Sequence, residues 1–129
     1  MSLEIVTLED QQAGTKARVL PGFGMNCYSF EVPTSNGPFD LLWAVDGFAS
    51  GNERASSSGI PLLFPFVGRL RGTKFEHAGK PYEFPAGDGI GNAIHGLVID
   101  RPWEVVEQTS KSVSAQIQPS TNAPELQGR

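Results

Sequence analysis

Apolar and polar residues alternate in Tyr28-Ser29-Phe30-Glu31-Val32 and again in Val113-Ser114-Ala115-Gln116-Ile117-Gln118, the period-two pattern of strands with one buried face. Phe39 to Trp43 and Leu62 to Phe66 read as short apolar runs, which predict strands or extended segments buried on both sides. Thr73-Lys74-Phe75-Glu76 and Lys80-Pro81-Tyr82-Glu83-Phe84 flank His77-Ala78-Gly79, a hairpin connection whose glycine stands where a positive φ is needed. A second hairpin is predicted from Trp103-Glu104-Val105-Val106-Glu107 through Ser110-Lys111-Ser112 into Val113. No window of a dozen residues keeps a 3.6-residue period behind a capped start, so any helix is short. The pattern predicts an all-β fold, an antiparallel β-sandwich or barrel, with residues 1–129 in one domain.

Composition sharpens this in three ways. The 15 glycines and 10 prolines are spread along the chain, as turns between short elements require, and form no linker tract. Fourteen Asp and Glu against ten Lys and Arg leave a formal charge of -4, which argues against nucleic acid as a partner, because phosphate binding needs clustered cations. Cys27 has no second cysteine to pair with, so nothing calls for an oxidising compartment, and it reads as a small buried hydrophobe. With no basic, apolar leader and no apolar run near the ~20 residues of a membrane span, the expectation is a soluble, cytoplasmic protein with no membrane partner. The stretch from Pro119 to Arg129 has loop-like composition and offers no strand to close a sheet edge. That suggests the N-terminal part of something larger.

Few residues can carry chemistry. His77, His95 and Cys27 fall in no paired ligand motif, so no metal is expected. Ala55-Ser56-Ser57-Ser58-Gly59 lacks the elbow that presents a nucleophilic serine and reads as flexible loop. Gly87-Asp88-Gly89-Ile90-Gly91 has no strand-to-helix context for a phosphate cradle and reads as a mobile loop. In Gly59-Ile60-Pro61-Leu62-Leu63-Phe64-Pro65-Phe66-Val67-Gly68-Arg69-Leu70 two prolines bracket an apolar run, so Arg69 ends a rigid extended segment. From the residues alone Arg69 is a surface charge, an ion-pair partner or a ligand-holding cation, while Arg71 is a surface residue. His95, between a small apolar run and Gly96, is open in the same way between a packed core imidazole, a catalytic base and a substrate-holding arm.

Those two stretches, Gly59 to Leu70 and Asn92-Ala93-Ile94-His95-Gly96-Leu97-Val98, with Asp100-Arg101-Pro102-Trp103 after them, resemble the aldose 1-epimerase (galactose mutarotase) family. Phe75 to Pro85 is similar to the hairpin between that family's two motifs, and the similarity is strongest from Gly59 to Val106. The resemblance implies a galactose mutarotase-like β-supersandwich whose concave cleft binds a free aldohexose without a cofactor. It implies that Arg69 and His95 hydrogen-bond sugar hydroxyls; Asn92, placed with them in the substrate-binding set, is open between a support of the His95 loop and a simple turn residue. Guanidinium and imidazole suit that role, since one offers a planar fork of donors and the other both donates and accepts. The resemblance also implies general acid-base interconversion of α and β anomers, by a glutamate that takes the anomeric proton and a histidine that protonates the ring oxygen. In the family both follow the His-Gly motif. His77 precedes it, and Glu104, Glu107 and Glu125 match no family position for the base. The expectation is therefore an inactive N-terminal part of one epimerase-like domain, completed by a missing C-terminal part of the same domain. The alternative is a non-catalytic carbohydrate-binding or sensing module.

Overall fold

Asp10 starts the first turn chemically: its carboxylate accepts the N–H groups of Gln12 and Ala13 at 3.0 and 3.2 Å, and Gly14, at φ 69°, sends the chain back. The strands on either side are β1 (Val6–Asp10) and β2 (Thr15–Leu20), paired antiparallel from Val6↔Val19 to Asp10↔Thr15. β3 (Asn26–Thr34) and β4 (Gly37–Asp40) continue the meander into a four-stranded sheet of order β1-β2-β3-β4. A register shift at Arg18/Val19 bends the β2–β3 pair. Two hairpins follow, β5 (Lys74–His77) with β6 (Lys80–Glu83), and β7 (Glu104–Gln108) with β8 (Val113–Gln116). This computed structural model describes residues 2–118. Among them every strand pair is antiparallel, and the helical content is two three-residue 3-10 turns, Phe48–Ser50 and Ala55–Ser57. No helix of the described residues is long and apolar enough to cross a membrane.

The chain divides into two compact units. The first runs to Leu62 and resumes at Ile99, and the second is Leu63–Val98. In the first, Leu20 (0 % exposed) and Phe48 (1 %) centre a core with Phe23 and Ala55. The Phe48 ring lies 5.6 Å from that of Phe23 and 6.0 Å from that of Tyr28. Burying each large side chain contributes about 1.5–3 kcal/mol. Asn26 is fully buried beside this core, donating to the Ser58 carbonyl at 3.0 Å and accepting the Ile60 N–H at 3.1 Å. The corner at Asp100 to Trp103 closes on the β2–β3 loop, with the Trp103 N–H donating to the Pro21 carbonyl and the Gly24 N–H to that of Arg101, both at 2.9 Å. In the second unit Phe84, 3 % exposed, meets Phe66 edge-on at 5.1 Å and stacks on Phe75 at 5.6 Å.

Both predicted hairpins are present, and Gly79 has its positive φ of 74°. The first turn is tighter than expected: His77 pairs with Lys80, leaving Ala78 and Gly79 as a two-residue connection. The alternation of Val113 to Gln116 matches its half-buried, exposed sequence of positions. Four expectations are corrected. In β3 the most buried of the alternating residues is the polar Ser29, 4 % exposed, because its hydroxyl bonds Asp40 and accepts from Arg18. Phe39 to Trp43 is not enclosed on two sides: Asp40 interrupts it, β4 is the sheet edge among the described residues, and Phe39 and Trp43 are exposed. Leu62 to Phe66 is not buried on both sides: Leu62 is 37 % and Phe64 56 % exposed, and the segment is an extended one with a parallel bridge between Phe64 and Gly96. The serine stretch is not a loose loop either, since the buried Ser58 Oγ accepts the Val45 N–H at 2.9 Å. Cys27 is half-buried, and desolvation pushes its thiol pKa up. The loop expected from Pro119 to Arg129, with Glu125, lies outside the described residues.

Candidate functional site

Arg69 and His95 come to neighbouring backbone positions within the second unit. An antiparallel bridge pairs Arg69 with Ile94, and the His95 N–H donates to the Gly68 carbonyl at 2.9 Å. The segment Asn92 to Leu97 is held along its length, because the Ala93 N–H donates to the Gly72 carbonyl at 2.9 Å and the Leu97 N–H to that of Phe64 at 2.7 Å. Gly96 makes the second attachment possible. At φ 73°, a Cβ there would lie 2.0 Å from the Phe64 carbonyl oxygen, so no side chain fits. The glycine of the His-Gly pair is thus required by a close backbone approach.

His95 itself stands at φ 63°, the left-handed region that costs a non-glycine residue about 1–2 kcal/mol. Its Nδ1 is buried and has no hydrogen-bond partner among the described residues. A buried, unpaired polar atom costs about 1–3 kcal/mol, so His95 combines two costs that packing alone does not require.

The loop before it centres on Asp88, which the sequence presents only as part of a glycine-rich stretch read as mobile. Its side chain is fully enclosed. Oδ1 accepts the backbone N–H groups of Ile90 and Asn92, each at 2.9 Å, and Oδ2 accepts Arg69 Nε at 2.9 Å and Asn92 Nδ2 at 2.8 Å. Burial opposes the charged form. The backbone and side-chain bonds from Asn92, the Ile90 N–H and the Arg69 guanidinium outweigh it and hold the carboxyl far below the usual carboxylate range. The signal that could have found it is an Asx pattern: an aspartate between glycines, with an asparagine four residues on.

Asn92 completes the loop. Its side-chain oxygen accepts the Gly72 N–H at 2.8 Å while its NH2 donates to Asp88, so these bonds tie the Asp88 loop to the Arg69 segment. Arg69 remains 56 % exposed beyond its tether, with a guanidinium that can still donate from both Nη groups. The arrangement is a tethered cation and an imidazole on a left-handed backbone, both on one small, densely bonded unit that offers hydrogen-bond donors. Among the described residues no group of three or more His, Cys, Asp or Glu side chains is gathered to hold a metal.

An open groove of about 690 Å³ lies in the first unit, lined by Arg18, Tyr28, Asp40, Trp43 and Phe48 among others, and none of the sequence-predicted site residues borders it. Two of its polar groups are already engaged: Arg18 pairs with Glu31 at 2.8 Å, and the Asp40 carboxylate accepts the N–H groups of Phe30 and Leu42 at 2.9 Å.

Known proteins share this architecture. The chain is similar to the crystal structure of a GalM/aldose epimerase homologue from C. elegans, with 23% identity over 90% of this chain and 36% of that one and a TM-score of 0.72. It is similar also to a galactose mutarotase-like protein from Clostridium acetobutylicum, with 23% identity over 88% and 37% and a TM-score of 0.63. A protein from Synechocystis sp. PCC 6803 shares 29% identity over 86% and 35%, with a TM-score of 0.61. The chain spans little more than a third of the length of these solved structures. These likenesses give the all-β, galactose mutarotase-like fold. No curated protein matches the chain. The family model for aldose 1-epimerase matches residues 4–126, across both motifs and all eight strands of the described residues, and the chain belongs to the aldose 1-epimerase family.

Proposed function

We propose that the chain supplies the sugar-holding part of a mutarotase, with Arg69 and His95 hydrogen-bonding hydroxyls of a free aldohexose. The observation that carries this reading is His95. Its left-handed backbone and buried, unpartnered ring nitrogen occur one backbone position from the bridge that carries the tethered, half-exposed Arg69, in a chain of the aldose 1-epimerase family. Strain and unmet polarity of this kind concentrate at ligand sites. Asn92 enters as the support of that arm.

Anomerisation itself needs a base for the anomeric proton and an acid for the ring oxygen, each within hydrogen-bond reach. Neither group implied by the family resemblance has a counterpart in residues 1–129, so catalysis is proposed for a longer form that brings a C-terminal part of the same domain. Polarimetry of freshly dissolved α-galactose and α-glucose tests this division of labour. The expected result is mutarotation at the spontaneous rate in the presence of this chain. A faster, protein-dependent rate would show that acid and base lie within it.

A further inference from the structure

An arginine that is to read a sugar must hold its fork still, and a free arginine side chain loses rotamer entropy when it is held. Arg69 is 56 % exposed and emerges from the end of a bridge, a place where such a side chain would ordinarily swing. What restrains it is one contact at Nε, to a carboxylate whose own side chain is fully enclosed and whose two oxygens accept four donors. Four acceptances fill the carboxylate's capacity. A tether at Nε differs from a side-on ion pair because it consumes none of the four N–H groups on Nη1 and Nη2.

We propose that Asp88 is a positioning residue for sugar binding: by gripping Arg69 at Nε it fixes the guanidinium plane and leaves both Nη groups to donate to vicinal hydroxyls. The inference rests on the reading of Arg69 as a sugar-holding residue. The carboxylate is itself rigid, because the Ile90 and Asn92 N–H groups hold Oδ1 and Asn92 Nδ2 shares Oδ2. Asn92 then links the assembly to Gly72, three residues beyond Arg69. The gain is preorganisation: ordering is complete before the ligand arrives, so less binding free energy is lost to it.

The test is a double-mutant cycle on the full chain, read by galactose titration of its NMR spectrum, with Arg69→Ala, Asp88→Asn and the double variant. Asp88→Asn keeps the shape but puts an NH2 where one pair of donors needs an acceptor. It is expected to weaken galactose binding about tenfold, the scale of one charge-assisted hydrogen bond. In the Arg69→Ala background the same change is expected to cost almost nothing, because Asp88 then has nothing to position. A full additional loss in that background, or unchanged affinity in Asp88→Asn alone, overturns the proposal. Unchanged affinity in Arg69→Ala would instead overturn the sugar-holding role of Arg69. The unsubstituted chain offers a second readout that needs no variant to fold: at mildly acidic pH without sugar, the Arg69 Nε–H signal is expected to exchange slowly with water. An Nε–H signal as labile as that of Arg71 contradicts the tether.

Discussion

At the scale of single residues, the sharpest constraint is Gly96, where a Cβ would meet the Phe64 carbonyl at 2.0 Å in a backbone of φ 73°. Gly96→Ala is expected to lower stability by about 2–4 kcal/mol, combining overpacking with a strained backbone. Amide exchange checks it locally: the Leu97 N–H, bonded to Phe64 at 2.7 Å, should lose its protection first. Retained protection would mean that the segments do not approach so closely. The carboxylates give a pH prediction of definite sign. For Asp40, burial opposes charge, but bonds from Ser29, Phe30 and Leu42 and the nearby Arg18 lower its pKa, and Asp88 is lowered in the same direction. Folded values below the unfolded value of about 3.9 mean stabilisation that is complete above that pH and lost as pH falls through the folded values. The urea midpoint is therefore expected to be level from neutrality to about pH 5 and to fall below about pH 4, less steeply in Asp40→Asn and Asp88→Asn. A midpoint that rises on acidification through this window contradicts the assignment.

At the scale of elements, burial and chemistry do not follow hydrophobicity. Trp43 is 70 % exposed just beyond β4, the edge strand of its sheet among the described residues, whereas the small polar Asn26 is 0 % exposed. Trp43→Phe is expected to change stability by less than about 0.5 kcal/mol. Asn26→Ala leaves the Ser58 carbonyl and the Ile60 N–H without their partner and should cost about 2–4 kcal/mol, both read from denaturant midpoints. The reverse order would refute the burial described for this unit. The same contrast explains what the sequence made legible. Hairpins β5–β6 and β7–β8 could be read because period-two strands and turn residues are local signals, and Gly79 announces its own φ. Strands β1 and β2 raised no expectation, and the Phe39 and Leu62 runs misled, because enclosure depends on neighbours that an apolar run cannot name. Arg69 and His95 were singled out through motif resemblance. Asp88 was missed because its importance lies in a nineteen-residue jump to Arg69 that no local pattern encodes.

At the scale of the whole molecule, the chain is an aldose 1-epimerase family member that spans little more than a third of its solved structural relatives and carries both family motifs within Leu63–Val98 and the residues just before it. On the proposed function a mutarotase's work divides in two: Arg69 and His95 are proposed to hold the sugar, and acid and base are proposed to come from a longer form. This division makes sugar binding separable from turnover. Isothermal titration of galactose and glucose into the chain, beside its Arg69→Ala and His95→Ala variants, tests it most directly. The expected result is saturable binding of at least one sugar, weakened about tenfold or more by either substitution, as the loss of a polar arm to a ligand implies. Binding that survives both substitutions unchanged, or no binding of either sugar, would contradict it.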